Sequence, residues 1–199
     1  MKILGFSDLH QSARHADILV QASRTADLVI AAGDFCNTRA GLDAAMSLLS
    51  EITAPLVAVP GNHESASELD AAAPAGATVL HGEGATFDGL RVFGLGYGVP
   101  VTPFGDWSCD LTEEEAEALL SRCERADILI THSPPKGLGD MTSQGVSVGS
   151  GAIRAAIERL KPRLALCGHI HDSWGTTGTI GPTSVHNLGP APNWFEISA

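Results

Sequence analysis

Basic residues are scarce in this chain. Twelve Lys and Arg stand against 23 Asp and Glu, a formal charge of −11, so the surface repels a long polyanion and non-specific binding to nucleic acid is disfavoured. Long apolar runs are missing as well. The start, "MKILGFSDLH", passes from one lysine through a short apolar run straight into polar residues. That run is too short for a secretory signal or a membrane span, and the expectation is a cytoplasmic protein with no membrane partner. Cysteine is limited to Cys36, Cys109, Cys123 and Cys167, with no CxxC spacing, which argues against a disulfide framework and for four reduced thiols. Repeats, linkers and low-complexity stretches are absent, although 22 glycines and 11 prolines are scattered through the sequence. A single domain spanning 1–199 is expected. Nothing in these patterns bears on oligomeric state.

What is present is an alternation. Short apolar runs bounded by Gly, Asp, Asn or Pro read as buried strands: "KILGFSD", "DLVIAAGD", "PLVAVPGN", "RVFGLGYG", "ADILITHSPP" and "PRLALCGH". Between them, alanine-rich stretches with helical spacing predict helices over 12–25, 41–52, 65–73, 112–125 and 150–161. Thr112 with Glu115 forms a capping-box pattern, and Ser150 precedes Ile153 and Ile157 as a helix cap. Two glycine-rich segments, "TVLHGEGATFDGLRVFGLG" and "WGTTGTIGPTSVHNLGPAPNWFEI", read as antiparallel hairpins. The pattern predicts a layered α/β sandwich.

Ligand sites in α/β sheets gather beyond the carboxyl ends of the strands. Those ends carry Asp8 and His10, then Asp34, then Asn62 and His63, then His132, and last His169 and His171. Five of the eight histidines thus fall at predicted strand termini, where an independent scatter would favour helix faces and surface loops. Residues two apart in extended backbone point the same way, so Asp8 with His10, and His169 with His171, each present a pair to one space. Each pair can serve one metal site or two adjacent ones. Setting His63 aside, seven candidate ligands exceed the three or four protein ligands usual for one catalytic ion, and suit two ions with Asp34 as a bridging carboxylate. The remaining histidines fit plainer roles. His15 suits an exposed helix face and His81 a hairpin turn, while His186 lies on a late strand.

In order along the chain, "SDLH", "AGDF", "GNHE", "THSPP" and "CGHIH" resemble the linked motifs of the calcineurin-like metallophosphoesterases: D-x-H, G-D, G-N-H-[DE], a lone His and G-H-x-H. The resemblance implies a four-layered α/β/β/α sandwich with two mixed sheets and a dinuclear metal centre. It implies that Asp8, His10, Asp34 and His171 hold one ion, and that Asp34, Asn62, His132 and His169 hold the other. Asn37 and Thr38 stand where the protein-phosphatase subgroup of the family carries Asp and Arg. With its compact length, the chain looks more like the family's small bacterial phosphodiesterases.

The function this implies is hydrolysis of a small phosphoester. Two ions sharing a water lower its pKa toward about 7 and neutralise charge on the phosphoryl oxygens. Phosphodiesters are the expected substrates, with cyclic nucleotides and phosphomonoesters as further candidates. His63, next to the ligand Asn62, is expected to act as general acid to the leaving oxygen or as donor to a phosphoryl oxygen. Carboxylate, amide oxygen and imidazole without thiolate suit two divalent transition-metal ions, Mn²⁺, Fe or Zn²⁺, and disfavour Ca²⁺. Glu64 reads as a helix-start residue, 137–151 as a flexible loop near the substrate, and Asn187 as a support from the last hairpin. A nuclease at the same site and a non-catalytic scaffold on the same fold are the alternatives.

Overall fold

Two sheets organise the chain. The computed structural model describes residues 1–198. Its first half runs β1 (Lys2–Phe6), α1 (Ala13–Ser23), β2 (Leu28–Ala31), α2 (Leu42–Leu48), β3 (Leu56–Ala58), α3 (Ala66–Ala72) and β4 (Thr78–Val79). The second half runs β5 (Glu83–Phe87), β6 (Leu90–Leu95), α4 (Glu113–Leu120), β7 (Ile128–Thr131), α5 (Gly151–Leu160), β8 (Leu164–Cys167), a 3₁₀ turn (His171–Ser173), β9 (Thr177–Ile180), β10 (Thr183–Asn187) and β11 (Asn193–Glu196). All five expected helices form. Ser12, Ser65, Thr112 and Ser150 cap four of them by accepting a backbone N–H three residues on, each cap contributing about 1 kcal/mol.

One sheet has the order β11-β1-β2-β3-β4 and the other β5-β6-β7-β8-β10-β9. Pairs joined through helices are parallel, whereas β11 on β1, β5 on β6 and β9 on β10 are antiparallel. Three apolar clusters define the layers. Ile3, Leu28, Ile30 and Val57 from the first sheet pack against Val92, Ile128, Ile130 and Leu166 from the second, which forms the core between the sheets. The opposite face of the first sheet, with Leu4, Val29 and Ala58, is covered by Leu19, Met46 and Leu69 of α1, α2 and α3. Leu129 and Ala165 on the outer face of the second sheet meet Leu120 and Ile157 of α4 and α5. The result is the α/β/β/α sandwich.

Two segments depart from the hairpin expectation. Thr78–Val79 does not enter the hairpin that follows but pairs in parallel with β3, and β11 leaves its hairpin to pair with β1. Both strands close the first sheet, one at each edge. The four cysteines are free thiols, and Cys36, Cys123 and Cys167 are buried. No helix among the described residues is long and apolar enough to cross a membrane.

Candidate metal centre

Every parallel strand of the first sheet that precedes a helix, and two of the second, deliver a polar residue to one place. Asp8 and His10 follow β1, Asp34 follows β2, Asn62 and His63 follow β3, His132 follows β7, and His169 and His171 follow β8. Ligand atoms of Asp8, His10, Asp34 and His171 lie within 4.8 Å of one another, and so do those of Asp34, His132 and His169. Asp34 belongs to both groups. Asn62 joins the second, with Oδ1 at 3.2 Å from His132 Nε2.

The alternation rule is not what brings these pairs together. Asp8, His10, Asp34 and His169 all have positive φ, at 53°, 45°, 59° and 69°, so the chain turns sharply past each strand instead of continuing extended. Left-handed backbone costs a non-glycine residue about 1 kcal/mol or more, a strain that concentrates at functional sites. The glycines of the motifs allow close approach. A Cβ on Gly61 would collide with the Asp34 carboxylate, and one on Gly168 with Ser7 and Asp8.

The donors suit a cation. His10 Nδ1 donates to Cys36 O at 3.1 Å and His132 Nδ1 to Ala32 O at 2.7 Å, so that in the neutral imidazole, the form that binds a metal, each Nε2 turns a lone pair inward. His132 Nε2 lies 3.3 Å and His10 Nε2 3.7 Å from Asp34 Oδ2, and the Nε2 atoms of His10 and His171 face each other at 3.2 Å. Asn62 Nδ2 donates to Ser108 Oγ at 3.0 Å, so its amide oxygen is the inward atom. Converging lone pairs on oxygen and nitrogen repel unless positive charge lies between them. Burial alone would push the Asp34 carboxyl up, but His132, His63 and His169 pull it below the usual carboxylate range. Burial lowers His132 while Asp34 raises it further, to about 9; burial and His132 together press His169 down to about 4.

Several supporting groups were not evident from the motifs. Asp8 accepts N–H bonds from His169 N and from Trp174 Nε1 at 3.1 Å, and a short hydrogen bond from the Ser7 hydroxyl. Trp174 also packs on His171, with ring centroids 4.3 Å apart. Asn187, expected as a support, is buried and donates to the carbonyls of Gly139, Gly168 and Ile170, which pins the backbone on both sides of His169. The 137–151 segment is folded around Asp140. Its carboxylate accepts from Gly137 N, Gly149 N and the Ser147 hydroxyl, and Ser143 N reaches Asp172 beside His171.

Glu64 corrects an expectation. It is fully buried and starts no helix; α3 is capped by Ser65 with Glu68. Its Oε1 accepts from Asp34 N and Gly61 N at 2.8 and 2.7 Å, and Oε2 from Phe35 N at 3.1 Å and Cys36 N at 3.4 Å. One carboxylate thus ties the turn after β2 to the turn after β3. Burial and then Asp34 push its carboxyl up to about 7, while the N–H groups of Gly61 and Cys36 pull the other way. Glu64→Gln puts an amide NH₂ against backbone donors, and the expected loss of stability is about 3 kcal/mol. Chemical denaturation measures it; an unchanged midpoint would show that the N–H bonds lost to the amide NH₂ contribute nothing.

Arg39 sits on the rim, with its guanidinium paired to Glu68 at 2.9 and 2.7 Å and its Nη1 at 3.4 Å from Cys109 Sγ. His15 and His186 stay outside the site, hydrogen-bonded to Ser12 and Ser184. His81 accepts from Gly96 N and packs on Tyr97.

Known proteins share this fold. A Thermus thermophilus protein of known structure superposes with a TM-score of 0.73 at 19% identity, covering 94% of this chain and 88% of that one. A dimetal phosphatase from Danio rerio superposes with a TM-score of 0.62 at 14% identity, covering 96% and 88%. The human metallophosphoesterase domain-containing protein 1 is 34% identical over 108 residues, which is 51% of this chain and 31% of the relative. The aligned region thus spans about a third of that curated relative. The sequence model of the calcineurin-like phosphoesterases matches residues 1–173, from the first strand through the last of the clustered ligands, and the chain belongs to that family.

Proposed function

We propose that the chain hydrolyses phosphodiesters with two divalent ions held at this site. The observation that carries the reading is the shared carboxylate: Asp34 lies in both ligand groups, the arrangement a bridged pair of ions requires. Asp8, His10, Asp34 and His171 would hold one ion, and Asp34, Asn62, His132 and His169 the other. Mn²⁺, Fe or Zn²⁺ fit the nitrogen and oxygen donors. When bound, such ions make a water nucleophilic at neutral pH and neutralise charge on the phosphoryl oxygens. The chain's own residues fix the geometry: Cys36 O and Ala32 O orient two of the imidazoles, Trp174 and His169 N hold Asp8, and Ser108 turns the Asn62 amide.

His63 lies at the edge of the ligand set, with Nε2 3.8 Å from Asp34 Oδ2. The N–H of Thr38 donates to its Nδ1 at 2.7 Å, so in the neutral ring the proton sits on Nε2, turned toward the site. That makes His63 a donor to a phosphoryl oxygen. A phosphomonoester brings a further negative charge, and the only arginine in this loop region, Arg39, is already committed to Glu68. This supports diesters over monoesters.

Purified protein loaded with Mn²⁺ is expected to turn over bis(p-nitrophenyl) phosphate with a kcat/KM about tenfold above that for p-nitrophenyl phosphate, roughly the effect of one uncompensated charge. Faster monoester turnover would overturn the diester assignment. Absence of turnover of either ester, or of linear dinucleotides, with Mn²⁺, Fe or Zn²⁺ would overturn the enzymatic reading and leave the scaffold.

A further inference from the structure

A row of rings leads outward from the candidate site. His63 meets Trp107 with centroids 4.6 Å apart, and Trp107 lies against Phe104 at 5.7 Å with ring planes only 13° apart. Phe104 is 50% exposed and Trp107 half-buried. Water meets large apolar rings next to a polar, acidic centre, and covering them with a ligand ring would be favourable.

The loop that carries these rings is braced. Gly98 and Leu111 exchange backbone bonds across its neck with Cys109 and Gly98, and Cys109 N donates to Asn62 O. Inside the loop, Asp110 accepts from Thr102 N, Thr102 Oγ1 and Ser108 Oγ, and Ser108 Oγ in turn accepts from Asn62. The base of the ring-bearing loop is therefore tied to a candidate metal ligand.

On the other flank, Trp174 illustrates a different use of an indole. Its N–H is donated to Asp8, one ring face meets His171, and Gly189 is pressed against it. Trp174 holds the site together. Trp107 instead pairs with one ring in the site, His63, and with one beyond it, Phe104.

We propose that Trp107 and Phe104 form a stacking ledge for a planar ring carried on an ester substituent of the phosphoester, so that this enzyme selects nucleoside or aryl esters over alkyl ones. The proposal rests on the phosphoesterase reading above. The ligand chemistry is a flat, uncharged π-face; a ring gains by stacking, whereas the exposed Asp106, between the two aromatic residues in sequence, disfavours an anionic group. An aryl group joined directly to the ester oxygen would lie against Trp107, the ring next to His63, and a nucleobase, held off by its pentose, would lie one ring further out, at Phe104.

Isothermal titration of the Mn²⁺-loaded protein with adenosine 5′-monophosphate, phenyl phosphate and ribose 5-phosphate separates these cases. At least one ring-bearing phosphate is expected to bind about tenfold more tightly than ribose 5-phosphate, the order of one stacked base. Trp107→Ala should erase that advantage and leave ribose 5-phosphate within about twofold of its original affinity, while Trp107→Phe keeps most of it. A loss for adenosine 5′-monophosphate in Phe104→Ala identifies a nucleobase, and a gain confined to phenyl phosphate and insensitive to Phe104→Ala identifies an aryl group. If Trp107→Ala does not fold, Phe104→Ala and Trp107→Phe with quenching of indole fluorescence by the same ligands decide. Equal binding of ringed and ringless phosphates, or equal weakening of all three in the Trp107 variants, overturns the ledge but leaves the phosphoesterase intact. Binding of none, together with no turnover of any ester, overturns both.

Discussion

Asp34→Asn is expected to lose bound metal and turnover together while keeping its fold. The substitution is nearly isosteric, and asparagine tolerates the left-handed backbone that Asp34 adopts at φ 59°. The amide can still accept the N–H of His63, which Asp34 Oδ1 receives at 3.0 Å. What disappears is the negative charge that faces His132, His10 and His63 at 3.3, 3.7 and 3.8 Å. An amide oxygen is a weaker ligand and a poor bridge, so both ligand groups lose their common member. The expected drop in kcat is about 1,000-fold or more, with metal content by mass spectrometry falling from two ions per chain to one or fewer and the far-ultraviolet circular dichroism unchanged. Full metal content with near-normal turnover would remove Asp34 from the bridging position. Loss of the fold itself would mean that the charge is needed by His132, whose imidazole the carboxylate pulls up to about 9 against its burial.

The residues of this site were legible because each stands just past a short apolar run, and a parallel sheet points all such ends the same way. The run "DLVIAAGD" could only become a buried strand, and whatever followed it had to lie at the sheet's carboxyl edge. The grouping is therefore readable, although side-chain alternation does not produce the two pairs: Asp8 and His10, like His169, sit on left-handed turns and not on extended backbone. Glu64 is hidden because a glutamate that starts a helix and one that collects four buried N–H groups look alike in sequence. Only the approach of the β2 and β3 turns distinguishes them. The sheet addresses of Thr78–Val79 and of β11 were equally hidden, since a two-residue strand carries no periodicity and an edge strand pairs wherever a free edge lies. Thr38 was noticed for the arginine it lacks. Its contribution is a backbone N–H, which no side-chain pattern encodes.

His63→Ala should slow alkyl and p-nitrophenyl diesters by a similar factor, on the order of 100-fold. A general acid would act differently. It would have to be an imidazolium, with a second proton on Nδ1, but Nδ1 already accepts from Thr38 N at 2.7 Å. Protonation would set two N–H groups against each other. Burial, too, lowers the proton affinity of His63 below the ordinary imidazole value, even though Asp34 works in the opposite direction. On the proposed reading the neutral ring would donate its Nε2–H to a phosphoryl oxygen, a contact that would strengthen as charge grows there regardless of which group leaves. The ratio of wild-type to variant rates should then stay flat between about pH 7 and pH 9, where a donor that had to be cationic would lose its contribution as it deprotonated. His63→Asn, which can present an amide N–H, should recover part of the rate, whereas a histidine that only fills space would gain nothing from that amide. A loss many times larger for the alkyl ester than for the nitrophenyl ester, with a ratio that falls as pH rises, would show that the ring does carry the second proton and that the Thr38 bond gives way to it.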